Sequence, residues 1–256
     1  MEKGPRHPGT GSRLVRRGPG LVWYSNDAVE MARGRVGVDG GARLMAVVAH
    51  SDDAEIWAGG TIITHTAAGL PALVLVLCGD ATDPRGQEAQ RAAALMGAQV
   101  AFAGGRDRYL EVDDAMVERV AGHMRAFRPN YLITHWPEDS HPDHVATTRM
   151  ARRAVLTAEV ENELRAALAC DTYLSWGLDG PFAPQLYVDV GEVWTRKLAA
   201  IRCHASQDPE HYIALIERQC WLHGARSQVG YAEAYRRLPF FGRAQAAVGW
   251  PPAGLP

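Results

Sequence analysis

From Leu44 onward, short apolar runs alternate with segments of helical periodicity, and this alternation constrains the fold more than any other feature of the sequence. The strands predicted from these runs lie at 44–49, 72–77, 99–103 and 131–135. A helical segment follows each run, the first ending near Ala67 and the others lying at 85–96, 113–127 and 143–156. Apolar runs of this length are typical of parallel strands buried on both faces, and their alternation with helices predicts βαβ units.

The predicted fold class is α/β, with a Rossmann-like, doubly wound, mostly parallel sheet and helices on both faces. After residue 160 the alternation loosens into a C-terminal α/β elaboration. There the sequence predicts strands at 172–176 and 185–190 and helices at 193–204 and 209–223. Residues 1–42 are rich in Gly, Pro and Arg and are expected to form an N-terminal extension, with residues 43–256 as a single domain.

The composition argues against several classes of protein. With 47% hydrophobic residues among 256, the chain has enough apolar surface to fold, and its longest apolar stretch, at 70–78, is too short to span a membrane. A net charge of −2 argues against nucleic-acid binding. The four cysteines lie far apart and the basic N-terminus lacks the apolar core of a secretory signal, so we expect a cytoplasmic protein. The sequence does not determine the oligomeric state, and a homo-oligomer is one of the possibilities.

Two clusters of His and Asp follow the first and the fourth predicted strands. The first reads H-S-D-D at 50–53, and the second reads H-P-D-H at 141–144. In a doubly wound sheet of order 3-2-1-4, the first and fourth strands are neighbours at the point where the chain reverses direction. Ligands bind in the crevice at that point, so we expect the two clusters to converge there.

The residue types in these clusters predict a metal site with an open position. His50, Asp53 and His144 would supply two imidazoles and one carboxylate, which leaves room for a water molecule, as in catalytic zinc sites. We therefore expect one zinc ion per chain. The same ligand set also forms the facial triad of non-haem iron oxygenases, although those enzymes usually have antiparallel β scaffolds.

The remaining residues of the clusters suit acid–base chemistry. Asp52 is adjacent to Asp53 but is expected to point toward the metal-bound water and to act as a general base. His141 would stabilise an oxyanion and protonate a leaving amine, and Asp143 would orient the His141 imidazole and favour its charged form. A metal-binding protein without catalysis is a further alternative, but Asp52 and His141 argue against it.

These motifs resemble those of the LmbE-like, or PIG-L, family of zinc-dependent N-deacetylases. The stretch at 49–55 reads A-H-S-D-D-A-E and is followed by G-G-T at 59–61, whereas the family reads A-H-P-D-D-[AE]-E and G-G-T. H-P-D-H at 141–144 is the family's second motif, and K-L-A-A at 197–200 with H-A-S-Q at 204–207 resembles its bacterial members. The resemblance covers about residues 44–237. Ser51 departs from it, because it replaces a proline that would fix the backbone.

The resemblance implies removal of the N-acetyl group from an N-acetylglucosamine-type sugar, with zinc on His50, Asp53 and His144. The expected partner is a small-molecule N-acetylated amino sugar, such as a secondary metabolite, an antibiotic intermediate or another small glycoside. An amidase acting on a thiol-sugar conjugate is the alternative within the family. The resemblance also implies that Arg85 holds the sugar. The alternative is that Arg85 is a solvent-exposed residue at the start of a helix and has no role in binding. His204 either reaches the substrate or packs in the interior.

Overall fold

The computed structural model describes residues 41–239. The predicted N-terminal extension lies outside this range except for its last two residues, and so do residues 240–256 of the predicted domain. The six α-helices in the described range are α1 (Asp53–Ala67), α2 (Pro84–Met96), α3 (Asp114–Phe127), α4 (Pro142–Thr157), α5 (Trp194–Ile201) and α6 (Pro209–Ser227). Its strands are β1 (Leu44–Val48), β2 (Ala72–Cys78), β3 (Gln99–Gly105), β4 (Tyr131–Thr134), β5 (Ala166–Cys170), β6 (Trp176–Gly177), β7 (Gly180–Pro181), β8 (Leu186–Asp189) and β9 (Ala232–Arg237).

Seven of these strands form one sheet in the order β3-β2-β1-β4-β5-β9-β8. The five strands from β3 to β5 are parallel to one another, and β9 and β8 continue the sheet in antiparallel fashion. β1 and β4 are neighbours, with Leu44 opposite Tyr131. The predicted fold class and the predicted order of the first four strands are therefore confirmed.

The sheet is covered on both faces because the residues of its central strands are apolar on both sides. All five residues of β1 are buried. One face packs against α1, α2, α5 and α6, and the other packs against α3 and α4. None of the helices in the described part of the chain has the length and apolarity that crossing a membrane requires.

Turn chemistry explains where α2 begins and ends. Asp83 caps α2 by accepting the N–H of Gly86 at 2.6 Å, and Pro84 occupies its first turn. The helix ends at Gly97, which has a φ of 73° in the left-handed region. These local signals place the helix boundaries within one residue of those predicted from the sequence.

The C-terminal elaboration differs from the prediction. The strand predicted at 172–176 is wrong, because Tyr173–Ser175 forms a 3₁₀ turn in which Leu174 and Ser175 have positive φ values. The strand beside β4 is instead β5, whose sequence A-A-L-A-C contains residues of low strand propensity that the sheet position overrides. The sequence also missed β9, which inserts between β5 and β8 through long-range pairing. The helix predicted at 193–204 is shorter in the structure, where α5 spans Trp194–Ile201.

Candidate metal centre

The two His/Asp clusters meet at the carboxyl ends of β1 and β4. His50 lies in the turn after β1, and Asp53 begins α1. His144 lies in the first turn of α4, which begins at Pro142. His50, Asp53 and His144 each offer a ligand atom, and these three atoms all lie within 4.8 Å of one another. The fold thus brings the three predicted ligands to one point, and their binding of a metal stays a prediction.

Asp53 is the centre of this cluster. Its Oδ2 atom lies 3.2 Å from Nδ1 of His50 and 3.3 Å from Nε2 of His135, and its Oδ1 atom lies 3.4 Å from Nε2 of His144. Burial alone would raise the pKa of Asp53, but the imidazoles of His144, His135 and His50 outweigh it and hold the pKa well below its usual value. Asp53 therefore stays ionised, as a metal-ligating carboxylate must.

The surroundings of His144 fit a bound cation. Its buried Nε2 atom forms no hydrogen bond within the described chain, although it faces Asp53. Burial opposes a positive charge on His144, but Asp53 and Asp139 overcome it and raise its pKa to about 10. The protein thus stabilises positive charge at this point, and a divalent ion would replace the proton. The donor set and this unpartnered nitrogen fit the zinc ion that the motifs predict.

Asp139 is a functional candidate that lies outside the two predicted clusters. Its Oδ2 atom lies 2.9 Å from Nδ1 of His144, and its Oδ1 atom accepts the N–H of His141 at 2.8 Å. Histidines that bind metals commonly pair their second nitrogen with such a carboxylate, which fixes the ring and its tautomer. An acidic residue in the short loop before H-P-D-H was the available signal.

The predicted site also does not include His135. It is fully buried after β4, and its ring stacks on that of His144 with centroids 3.8 Å apart. Its Nε2 atom accepts the N–H of Ala49 at 2.9 Å, so it ties the end of β1 to the end of β4. Burial lowers the pKa of His135 to about 4, and the ring is therefore neutral near pH 7.

Asp52 lies beside the cluster without joining it. It occupies the N-cap position of α1, but its side chain makes no capping hydrogen bond. Its Oδ1 atom lies 3.4 Å from Nη2 of Arg85, whose Nη1 donates to Oδ2 of Asp107 at 3.0 Å. Burial and the charge of Asp53 raise the pKa of Asp52, against the opposite effect of Arg85. Arg85 thus lies next to the cluster, and its role in substrate binding stays a prediction.

Asp143 does not hold His141 in the predicted way. Its carboxylate accepts the N–H groups of Arg108 and Leu110, at 2.7 and 3.3 Å, and lies 3.2 Å from Nε2 of His50. The two residues are joined instead by the backbone N–H of Asp143, which donates to Nδ1 of His141 at 3.2 Å, because His141 is the N-cap of α4.

The expected charged form of His141 is also not favoured overall. Burial and the neighbouring imidazoles of His144 and His50 lower the pKa of His141. Asp143 acts in the predicted direction, because its negative charge raises that pKa, but it is outweighed.

A cleft of about 310 Å³ opens over these residues. It is lined by His50, Asp52, Asp53, Arg85, Asp107, Arg108, His141, Tyr173, Gln207 and Tyr212. Three of these, Tyr173, Gln207 and Tyr212, come from the C-terminal elaboration. His204 is only 1% exposed and lies 3.4 Å from Oε2 of Glu55. Of the two alternatives for His204, the structure shows the packed one.

The chain is thus a doubly wound α/β protein in which two imidazoles and a carboxylate converge at the switch point of the sheet. This arrangement defines a class of α/β proteins with a candidate metal site at that position. Residues 45–155 match the sequence profile of the family described as PIG-L, GlcNAc-PI de-N-acetylase. The resemblance to the LmbE-like, or PIG-L, family that the motifs indicated is therefore confirmed over this part of the chain.

The relatives of this chain catalyse more than one reaction. It is 27% identical to a 4-oxalmesaconate hydratase of Pseudomonas putida, over 74% of this chain and 83% of that protein. It is 28% identical to a diacetylchitobiose deacetylase of Thermococcus kodakarensis, over 77% of this chain and 83% of the relative. The crystal structure of a 4-carboxy-2-hydroxymuconate hydratase from Pseudomonas putida has the same fold, with a TM-score of 0.68 at 23% identity, over 78% of this chain and 98% of that one.

Proposed function

We propose that this cleft removes the acetyl group from an N-acetylated amino sugar of the N-acetylglucosamine type, releasing acetate and a free amine. The substrate would be a secondary metabolite or another small glycoside, and residues 43–256 would act as one deacetylase-type domain in the cytoplasm. One observation carries the proposal. Ligand atoms of His50, Asp53 and His144 lie within 4.8 Å of one another, and Asp52 stands beside them outside the cluster.

His50, Asp53 and His144 would hold the zinc ion. When bound, a divalent ion polarises the amide carbonyl and makes water a better nucleophile near neutral pH. Asp139 would keep the His144 ring in place through the contact at Nδ1.

Asp52 would take the proton of the attacking water. Burial raises its pKa, which makes it a stronger base than an exposed aspartate. The Arg85 guanidinium at 3.4 Å orients its carboxylate and limits that rise. Arg85 would also hold the sugar, because it lines the cleft beside Asp52.

His141 would stabilise the oxyanion and protonate the leaving amine. Its Nδ1 atom accepts the N–H of Asp143, so the ring proton of the neutral form resides on Nε2. The lowered pKa of His141 makes its charged form a stronger acid, which favours transfer of a proton to the amine.

Hydration of an unsaturated acid is a second candidate, favoured by the similarity to the 4-oxalmesaconate hydratase. It would use the same residues, because Asp52 would activate water and His141 would protonate the carbon next to the attacked one. An amidase acting on a thiol-sugar conjugate would also use this chemistry. The iron oxygenase alternative loses support, because the sheet is parallel from β3 to β5.

The test is a panel of N-acetylated glycosides assayed for acetate and free amine, with and without a chelator. It includes diacetylchitobiose and an N-acetylglucosaminyl thiol-sugar conjugate. An unsaturated tricarboxylic acid, followed by its ultraviolet absorbance, tests hydration, and oxygen uptake with ferrous iron tests the oxygenase. We expect chelator-sensitive acetate release. Loss of ultraviolet absorbance without acetate release from any glycoside would replace the deacetylase with the hydratase.

A further inference from the structure

The loop between β3 and α3 is held by hydrogen bonds to α4 and by a contact between two of its own side chains. The buried carboxylate of Asp143 accepts the N–H groups of Arg108 and Leu110. The guanidinium of Arg106 lies over the ring of Tyr109, 4.1 Å from its centre. Arg108 has a φ of 67°, in the left-handed region that a non-glycine residue adopts only where its surroundings hold it there. These contacts therefore fix the backbone of Arg108 at the wall of the cleft, with its side chain exposed.

The two arginines that line the cleft differ in their partners. Arg85 contacts the carboxylates of Asp52 and Asp107. Arg108 lines the same cleft, and within residues 41–239 no carboxylate lies within ion-pair distance of its guanidinium. The residue before it in sequence, Asp107, has its Oδ1 atom 3.3 Å from Nε2 of His50. Arg108 therefore follows directly a residue that contacts the candidate metal centre. The charge of Arg108 is thus available to a ligand of the cleft.

We propose that Arg108 selects substrates whose amino sugar carries an anionic group, a carboxylate or a phosphate. A planar guanidinium binds either group through two parallel hydrogen bonds, and an arginine without an acidic partner gives up no ion pair to do so. The amide to be cleaved occupies the metal centre beside Asp52, and Arg85 is already paired with two carboxylates, which leaves the wall formed by the loop as the place for the anionic group. The inference rests on the proposed function in that the amino sugar occupies this cleft.

The experiment compares glycosides that differ in charge but little in shape. One pair is the carboxymethyl α-glycoside of N-acetylglucosamine and its carbamoylmethyl counterpart. The other pair is N-acetylglucosamine 1-phosphate and the methyl glycoside, so the two pairs distinguish a carboxylate from a phosphate. For the full chain loaded with zinc, we expect kcat/KM to favour the anionic member of at least one pair by about tenfold or more, as hydrogen bonds to charged groups imply.

Three variants connect that preference to Arg108. Arg108→Gln should bring the ratio of kcat/KM values close to one, and Arg108→Lys, which keeps the charge but loses the planar fork, should give an intermediate ratio. Arg152→Gln is the matched control, because it removes the same charge from an exposed position late in α4. It should keep the wild-type ratio.

A wild-type ratio near one in both pairs, or an unchanged ratio in Arg108→Gln, overturns the inference. If no glycoside releases acetate, the proposed function fails instead, and calorimetric titration of the same four compounds then decides about Arg108. Tighter binding of an anionic compound by wild-type protein, lost in Arg108→Gln, supports the inference. Equal affinities in the two proteins overturn it.

Discussion

At the scale of single residues, Asp52 and Asp53 are neighbours in sequence with opposite surroundings. The start of α1 turns consecutive side chains in different directions, so Asp53 faces three imidazoles and Asp52 faces Arg85. The pKa of Asp53 is held down by the imidazoles, and burial raises the pKa of Asp52. Two carboxylates whose pKa values are pushed apart suit two different tasks, a ligand and a base.

Replacing Asp52 should therefore separate catalysis from metal binding. We expect Asp52→Asn to lower turnover by about 10²–10⁴-fold, because an amide cannot take the proton of water. Its zinc content, measured by atomic absorption, should match that of the wild type. Asp114→Asn, which changes an exposed carboxylate on α3, is the control. Unaltered turnover in Asp52→Asn would contradict the assignment of the base.

Asp139 should act on metal affinity through His144. Asp139→Asn is expected to weaken zinc binding by about 10- to 100-fold, because the second nitrogen of a metal-ligating histidine loses its carboxylate. Competition with a chromophoric chelator measures this affinity. Asp189→Asn, at the distant edge strand β8, should leave it unchanged. Equal affinities for Asp139→Asn and the wild type would rule out the supporting role.

At the scale of elements, α1 is positioned by the C-terminal part of the chain. Glu233 on β9 accepts the N–H groups of Gly60 and Thr61, both at 2.8 Å. Lys197 on α5 is fully buried, lies 2.6 Å from Glu233 and donates to the carbonyl of Ile56 at 2.7 Å. The strand and helix after residue 190 thus hold the helix that carries Asp53.

Breaking this ion pair should destabilise the fold. We expect Lys197→Met to lower the free energy of unfolding by about 3–5 kcal/mol, because it leaves Glu233 buried and charged without its partner. The double variant Lys197→Met, Glu233→Gln should recover part of the loss. Denaturant titration measures both, and a single variant as stable as the wild type would show that the pair does not hold α1.

The two glycines of the G-G-T motif should differ in their tolerance of a side chain. A Cβ atom on Gly60 would lie 2.4 Å from Cγ1 of Val190, whereas on Gly59 its nearest contact would be 3.5 Å from Cγ of Lys197. Gly60→Ala is therefore expected to lose about 1–3 kcal/mol of stability or more. Gly59→Ala should change stability by less than about 1 kcal/mol, since alanine favours the helix. Thermal unfolding of the pair checks this, and equal losses would contradict it.

At the scale of the whole molecule, the candidate centre joins two segments that are remote in sequence. His50 and Asp53 come from the β1–α1 connection, and His144 comes from α4. A metal that binds only the folded state stabilises it by mass action, by about 2.7 kcal/mol at a hundredfold excess over Kd. Chelation should therefore lower Tm as well as abolish acetate release.

Calorimetry with and without zinc measures this shift in Tm. Zinc should restore Tm in the chelated wild type but should have little effect on His144→Ala, which lacks one ligand. A Tm that is equal with chelator and with zinc would show that no ion links the two segments.

The amino-acid sequence by itself determined the α/β class, the order of the first four strands and the position of both His/Asp clusters. Each of these follows from local information, because hydrophobic periodicity distinguishes strands from helices and βαβ units connect in a restricted way. The convergence of His50 and His144 needed only the further rule that ligands bind at the switch point of such a sheet.

Only the tertiary structure decided how the clusters are supported. β5 and β9 owe their conformation to pairing with distant strands, and the alanines of β5 carry no strand signal. Asp139 contacts His144, and Asp143 accepts a hydrogen bond from the backbone of Arg108. Neither partner could be predicted, because side-chain partners depend on the packing of loops. Such contacts form between segments far apart in the chain, so no local pattern of residues can specify them.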